Sequence, residues 1–312
     1  MASTSWLTKA IVSPQKGVRK LTKIADHTLQ DWQRSLLQKS AWSSLVNETE
    51  NRIVGLRRTG NHAITMWIKA QTPGASKHLN NLEPLVNPYR YKYEVLRDFY
   101  PQHQWAIKQL EPFAKGNFVP LERLLYSYED HDLKRIVHPS FERKHDLYLG
   151  YTGKRIDVLI MRDPFNLFAS RLKSKMFSVK NASRTVADLW LEYAREYLGE
   201  TSYLPQERVC INYNTWSQEK DYRQEIAQKL GLEFTDEGRD QVSGCGGGSS
   251  FDSTAFQGQA SQMPVLKRWE TMAADPRFQN MLKDQQVWAY SERIFGSIPG
   301  TEALRQKLAA SL

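Results

Sequence analysis

The segment Arg52–Trp67, RIVGLRRTGNHAITMW, has the pattern of a strand, a glycine-containing loop and a helix. The β-branched pair Ile53 and Val54 leads into Gly55, and apolar residues after Gly60 recur with helical spacing. A loop between the carboxyl end of a strand and the amino end of a helix offers backbone N–H groups and the positive end of the helix dipole. The segment therefore predicts an anion-binding loop.

The residues of this loop indicate which class of anion it can bind. Nucleotide phosphate loops read G-x-x-x-x-G-K-[ST], in which the lysine reaches the phosphates and the hydroxyl residue holds magnesium. Asn61 and His62 occupy these two positions here, while Arg57 and Arg58 add planar guanidinium groups suited to phosphate or sulfonate oxygens. The pattern argues against a triphosphate hydrolase and permits a donor whose transferred group carries less charge and needs no metal.

A second basic segment, Ile156–Lys175, reads IDVLIMRDPFNLFASRLKSK. Its first residues predict a buried strand that ends at Arg162, and the Asp163-Pro164 pair is typical of the cap and first turn of a helix. Ser170 lies eight residues after Arg162, a little over two helical turns, so both side chains can face the carboxyl end of the strand. This segment predicts a second anion site.

The wider pattern predicts one α/β domain over residues 51–312, preceded by an N-terminal helical extension over residues 1–50. Short β-rich runs alternate with helical patterns, which indicates a central parallel sheet flanked by helices. Strands are predicted at Arg52–Leu56, Lys77–Asn80, Leu121–Tyr128, Ile156–Met161 and Val209–Tyr213. Helices are predicted at 61–70, 164–176, 183–199 and 223–230, followed by a glycine-rich loop from Gly244 and a helical C-terminal tail.

Composition limits the partners and the compartment. The formal charge of +9 over 312 residues favours anionic partners, but the cations cluster at predicted strand ends and form no stripe, which argues against nucleic-acid binding. No apolar run is long enough to predict a membrane span. Two cysteines, Cys210 and Cys245, allow one disulfide at most, so a cytoplasmic location is expected. The amphipathic N-terminal extension either packs on the main domain or lies on a membrane surface.

Four motifs resemble those of the PAPS-dependent sulfotransferases. GLRRTGNHA from Gly55 resembles their 5′-phosphosulfate loop, and RDPFNLFAS from Arg162 resembles their 3′-phosphate motif. INYNTW from Ile211 and LKRWE from Leu266 resemble two further stretches of the family. The resemblance covers about residues 52–270. It implies a P-loop-like sulfotransferase fold that uses 3′-phosphoadenosine 5′-phosphosulfate (PAPS), releases 3′,5′-adenosine bisphosphate (PAP) and needs no metal.

The resemblance also implies roles for individual residues. The residues expected to hold the 5′-phosphosulfate are Arg57, Arg58, Thr59, Gly60, Asn61 and His62, with Arg58 in the place of the usual catalytic lysine. The 3′-phosphate would be held by Arg162 and Ser170, helped by Lys267 or Arg268. Tyr213 and Trp269 are expected near the adenosine.

The implied reaction is in-line transfer of a sulfonate to a hydroxyl or amine of a small-molecule or saccharide acceptor, with a general base that takes the acceptor proton. The main base candidates follow a predicted strand end in the sequence LLYSYEDHD: Glu129 and His131. The alternatives are His62, Glu83 and Glu111, the last after a further strand predicted at Trp105–Lys108. The loops at about 80–120 and 130–150 carry aromatic residues that either shape the acceptor pocket or cover the sheet.

Two other functions remain open from the sequence. A P-loop kinase-like phosphotransferase with a nucleotide donor shares the strand, loop and helix plan, although it would need a lysine and a hydroxyl residue after Gly60 and an acidic strand end for magnesium. A catalytically inactive binding protein of the same fold is the other alternative.

Overall fold

The computed structural model describes residues 14–37, 44–244 and 248–309. Its centre is a five-stranded sheet in which every neighbouring pair of strands is parallel, in the order β2-β3-β1-β4-β5. The strands are β1 Leu45–Gly55, β2 Ser76–Leu79, β3 Leu121–Glu129, β4 Tyr151–Met161 and β5 Glu207–Asn212. The predicted α/β fold with a central parallel sheet is confirmed.

Helices cover both faces of the sheet. They are α1 Pro14–Leu37, α2 Asn61–Ala70, α3 Pro88–Phe99, α4 Gln104–Ala114, α5 Leu133–Ile136, α6 Pro139–Glu142, α7 His145–Leu149, α8 Pro164–Lys173, α9 Val186–Tyr197, α10 Tyr213–Gln218, α11 Lys220–Lys229, α12 Pro276–Met281, α13 Gln285–Phe295 and α14 Thr301–Ala309. Two 3₁₀ turns lie at Ala260–Gln262 and Arg268–Met272. Because successive strand residues point to opposite faces, Ile53 belongs to one buried apolar cluster and Val54 to the other.

The strand register brings four strand ends to one edge of the sheet. Gly55, the last residue of β1, lies opposite Glu129 of β3 and Ile160 of β4, and Met161 pairs with Asn212 of β5. The chain leaves β1 towards β2 on one side and later crosses to β4 on the other. Ligands of open α/β sheets bind in the crevice where the connections diverge in this way.

The strand β1 begins at Leu45, whereas the predicted strand began at Arg52. Residues 45–51 are largely polar, so a pattern of apolar residues did not predict this part of the strand. Glu50 and Arg52 are nevertheless fully buried, because Arg52 Nε donates to Asp157 Oδ1 at 2.7 Å and Glu50 accepts from the Tyr126 hydroxyl at 2.6 Å. Buried polar groups are tolerated when they are hydrogen-bonded.

The predicted strand at Trp105–Lys108 is wrong, because these residues lie inside α4. Its apolar residues Ile107, Leu110 and Phe113 recur every third position and are buried together, which is the spacing of a helix. The aromatic residues of the 80–120 segment are divided between the protein interior and its surface. Tyr89 is in the core, while Trp105 is exposed.

Within the described residues, no helix combines the length and the apolar content needed to cross a membrane. Cys210 is a free cysteine, and Cys245 lies outside the described residues.

Candidate functional site

The loop after β1 turns into α2 at Gly60, whose backbone adopts the left-handed conformation. Gly60 has φ 99° and precedes α2, and a Cβ atom on it would lie 2.2 Å from the Tyr213 ring. Thr59 Oγ1 lies 2.7 Å from the Leu56 carbonyl oxygen and 2.8 Å from Asn61 Oδ1, and its one hydroxyl hydrogen is shared between these two acceptors. Only glycine suits this position, because it accepts the positive φ and leaves space for the ring.

Asn61 connects this loop to the neighbouring strand. Its amide nitrogen donates to the Leu56 carbonyl at 3.1 Å and to Glu129 Oε1 at 2.9 Å. The side chains of Thr59 and Asn61 are therefore used to hold the loop in shape. An anion would meet these residues through the backbone.

The loop backbone is also clamped by an ion pair that the sequence did not predict. Asp130 Oδ1 accepts from the Arg57 backbone N–H at 3.0 Å and from Arg171 Nη1 at 2.7 Å. Arg171 Nη1 also donates to the Arg57 carbonyl at 3.4 Å. Asp130 and Arg171 are both buried, so the position of Arg57 depends on this pair.

The two anion sites predicted from sequence meet in the structure. Arg162 is buried at the end of β4, where its Nη1 donates to the Ser170 hydroxyl at 3.3 Å and to the Arg58 carbonyl at 3.1 Å. Its guanidinium carbon lies 5.3 Å from the centre of the Tyr213 ring. The second motif thus contacts the backbone of the first directly.

Residues of the glycine-rich loop contact Arg58 of the first motif and Arg268 further along the chain. Arg58 Nε donates to the Ser250 hydroxyl at 2.7 Å, and Arg268 Nη2 donates to the Ser249 hydroxyl at 2.7 Å. Arg268 also pairs with Asp252 at 3.1 Å. Residues 245–247 of the loop lie outside the described residues.

A cavity of about 430 Å³ joins these features at the carboxyl edge of the sheet. The predicted site residues that line it are Arg57, Arg58, Gly60, Asn61, His62, Glu129, Arg162, Tyr213 and Arg268. Ser170 lies behind the wall, bonded to Arg162. Lys267 is exposed and Trp269 packs in the core, and neither lines the cavity.

Sequence analysis missed several residues of the cavity wall, above all Arg239 and Trp216. The guanidinium carbon of Arg239 lies 5.2 Å from the centre of the Trp216 ring, and Trp216 stacks on Tyr213 at 5.8 Å. Arg239 stands in a loop without a motif, so only its tertiary contacts show its place. Asn80 and Asn81, just after β2, also line the cavity.

The cavity carries positive charge that is poorly compensated. Among the described residues, the side chains of Arg58, Arg162 and Arg239 donate to hydroxyl and carbonyl oxygens and form no ion pair with a carboxylate. Burial, together with the charge of Arg268, lowers the pKa of Arg162 to about 10. Burial and the same neighbour lower the pKa of Arg58. Because an unpaired buried charge costs free energy, this cavity favours an anion.

The structure separates the base candidates. Glu129 lines the cavity at the strand end, whereas His131 is buried outside the lining, with its Nε2 atom 3.3 Å from Glu83 Oε2. His131 and Lys180 lower the pKa of Glu83 to about 2. Glu111 does not line the cavity, and its carboxylate pairs with the exposed Lys115 just after α4.

His62 also lines the cavity. Burial lowers the pKa of its imidazole below the usual value of 6.5, in spite of the nearby Glu129 carboxylate. Burial therefore favours the neutral imidazole, which is the form that can accept a proton.

Comparison with protein-family models gives no match for this sequence, and a search of curated proteins gives none either. Among solved structures, the chain is similar to the sulfotransferase domain from the Synechococcus PCC 7002 olefin synthase. That match has a TM-score of 0.50 and 14% identity, and it covers 82% of this chain and 98% of that domain. Mouse sulfotransferase SULT7A1 complexed with PAP is matched with a TM-score of 0.41 and 11% identity, over 87% of this chain and 93% of that one.

The likeness to the olefin synthase domain concerns the fold, because the identity is low. The protein has a sulfotransferase fold, as the resemblance of its sequence motifs implied.

Proposed function

We propose that this protein is a PAPS-dependent sulfotransferase that transfers a sulfonate to a hydroxyl or amine of a small-molecule or saccharide acceptor. One observation carries the proposal. Arg58, Arg162 and Arg239 surround a single cavity without carboxylate partners among the described residues, at the edge of the sheet where the two predicted anion motifs meet. A donor with phosphates at both ends would supply the missing negative charge.

The residues fit the two ends of such a donor. Arg162, supported by the Ser170 hydroxyl, would hold the 3′-phosphate with help from Arg268. The backbone from Arg57 to His62 and the positive end of α2 would hold the 5′-phosphosulfate. Lys267 is exposed and Trp269 lies in the core, and neither lines the cavity. We therefore assign cofactor binding to Arg268 and Trp216 instead.

The chemical step would break the bond between the sulfonate sulfur and the phosphate oxygen while the acceptor oxygen or nitrogen forms the new bond to sulfur. Arg58 would stabilise charge on the departing phosphate, although a guanidinium cannot donate a proton to it. We assign Glu129 as the general base that takes the proton of the acceptor. Its carboxylate lines the cavity and is oriented by the 2.9 Å hydrogen bond from Asn61. Neutral His62 is the second candidate base. The cysteine content supports a cytoplasmic enzyme.

Calorimetry with PAP and with ATP tests the donor class. We expect PAP to bind without magnesium and ATP to bind more weakly with or without it. Magnesium-dependent ATP binding that exceeds PAP binding would instead support the kinase-like phosphotransferase. Incubation with ³⁵S-labelled PAPS and pooled phenols, saccharides and amines then tests turnover, and PAP binding without any labelled product would favour an inactive binding protein.

A further inference from the structure

The strand order sets the order of residues along the cavity wall. From β5 to β2, the strand ends contribute Tyr213, Arg162, the loop that contains Arg57 and His62, Glu129, and the pair Asn80 and Asn81. Under the proposed function, on which this inference rests, the 3′-phosphate and adenosine of the donor occupy the end formed by β5 and β4. The end formed by β3 and β2 is therefore left for the acceptor.

Within the described residues, the aromatic part of the wall lies at the β5 end. Tyr213 and Trp216 belong to α10, directly after β5, and their rings stack at 5.8 Å. Segment 80–120 is described throughout, and none of its aromatic residues lines the cavity. A phenol bound at the end formed by β3 and β2 would therefore find no aromatic side chain to pack on.

The amide of Asn80 is oriented by a side chain of β3. Ser127 Oγ accepts from the backbone N–H of Asn81 at 2.9 Å and donates to Asn80 Oδ1 at 3.1 Å. The oxygen of the Asn80 amide is used in this way, and its Nδ2 group has no acceptor among the described residues. Asn80 therefore offers a hydrogen-bond donor to a ligand.

Asn81 offers the complementary group. Its Oδ1 atom is buried and has no hydrogen-bond partner in the part of the chain that the structure describes. A buried acceptor without a donor costs free energy, and a ligand hydroxyl would remove this cost. Because a hydroxyl both donates and accepts, it suits Asn81 Oδ1 and Asn80 Nδ2 together, whereas a ketone or carboxylate oxygen cannot donate.

We propose that the acceptor is a hydroxyl-rich compound of the saccharide class, and that Asn80 and Asn81 bind a hydroxyl other than the one that receives the sulfonate. β3 and β2 are neighbours, so Glu129 and the two asparagines lie at strand ends about 5 Å apart, a distance that one sugar ring can bridge. The reacting sugar oxygen would bond to sulfur as the bond from sulfur to phosphate breaks, with its proton passing to Glu129 and PAP leaving.

A transfer assay tests the class of acceptor. We expect ³⁵S-labelled PAPS to label lactose or methyl galactoside with a kcat/KM about tenfold or more above that for nitrophenol or naphthol. Label on the phenols alone, or on none of these probes, would overturn the saccharide assignment. Calorimetry with PAP distinguishes that failure from failure of the proposed function, because PAP binding reports on the donor site alone.

The variant Asn81→Gly tests the recognition site. Glycine accepts the φ of 50° at this position, so the substitution removes the side chain without backbone strain. We expect the KM for the labelled sugar to rise by about tenfold, with a smaller change in kcat and an unchanged Kd for PAP. Asn117→Gly, the same substitution at an exposed residue outside the cavity wall, is the matched control and should change none of these.

A binding measurement without turnover gives the second readout. In saturation-transfer NMR of the protein saturated with PAP, lactose and methyl galactoside should give signals that weaken in Asn81→Gly and persist in Asn117→Gly. Sugar signals of equal strength in the two variants, or a KM that rises equally in both, would remove the role of Asn81. Signals from the phenols in place of the sugars would assign this end of the cavity to an aromatic acceptor.

Discussion

The guanidinium group of Arg162, at the end of β4, donates a hydrogen bond of 3.1 Å to the backbone carbonyl of Arg58, in the loop after β1. These residues are 104 positions apart in the chain. The contact fixes the distance between the two predicted anion sites and makes them two walls of one cavity. A ligand that bridges both sites must carry negative charge near each end.

Arg162→Ala should weaken binding of PAP by on the order of 10–100-fold, because it removes a charge-assisted contact to the 3′-phosphate. Affinity for 5′-AMP, which lacks that phosphate, should change much less. Calorimetry with both ligands measures the difference. Arg277→Ala, which removes an exposed arginine, serves as the control. An unchanged preference for PAP over 5′-AMP in the Arg162 variant would contradict its assigned role.

Glu129→Gln should lower kcat by roughly 10²–10⁴-fold with the acceptor found by screening, because the amide cannot take the acceptor proton. The Kd for PAP should stay close to that of the wild type, since glutamine can still accept the hydrogen bond from Asn61. Steady-state kinetics and calorimetry check the two parts. Glu122→Gln, near the other end of β3, is the matched control. A wild-type kcat in the Glu129 variant would shift the role of base to His62.

Asp130→Asn should destabilise the protein by about 3 kcal/mol, because it leaves the buried Arg171 guanidinium without a counter-charge. Asparagine tolerates the positive φ of 63° at this position, so backbone strain is not the cause. Chemical denaturation measures the loss. Asp275→Asn removes the same charge from an exposed pair with Arg277 and should change stability little. Equal effects of the two variants would show that the buried Asp130–Arg171 ion pair does not contribute to stability.

The buried pair of His145 and Glu50 should make stability depend on pH. Glu50 and Asp146, each 2.7 Å from a ring nitrogen, raise the pKa of His145 to about 9, despite burial and the opposing charge of Arg155. The folded protein therefore holds this proton more tightly than the unfolded chain. The stabilisation is fully present below about pH 6.5 and is lost as the pH rises through about 9, with a magnitude on the order of 3 kcal/mol.

Denaturation of wild type and His145→Gln across this range checks the effect. The difference in unfolding free energy between the two proteins should shrink as the pH increases from 6 to 10. A difference that stays constant would show that this pair does not set the pH dependence. The comparison cancels the other groups that titrate in the same range.

Sequence reasoning predicted the strand, loop and helix at β1 and the strand end before Arg162, because each is a local pattern. It failed to separate Glu129 from His131, which stand two residues apart. β3 ends at Glu129, and Asp130 then takes a positive φ, after which His131 enters the interior and its carbonyl accepts from the Tyr193 hydroxyl at 2.6 Å. Which of two neighbouring side chains reaches a cavity depends on such a turn, and composition does not encode it.

The amino-acid sequence by itself determined the α/β class, the approximate positions of the five strands and the two basic motifs, because these depend on periodicity and on residues close together in the chain. It also predicted a strand at Trp105–Lys108 that is part of α4. Only the tertiary structure decided that Arg239 and Trp216 join the cavity and that Asp130 and Arg171 hold the backbone of Arg57. These features depend on strand order and on contacts between distant segments. The physical reason is that the side-chain periodicity of a helix or strand is a local property, whereas the shape and charge of a cavity are set by packing across the whole sheet.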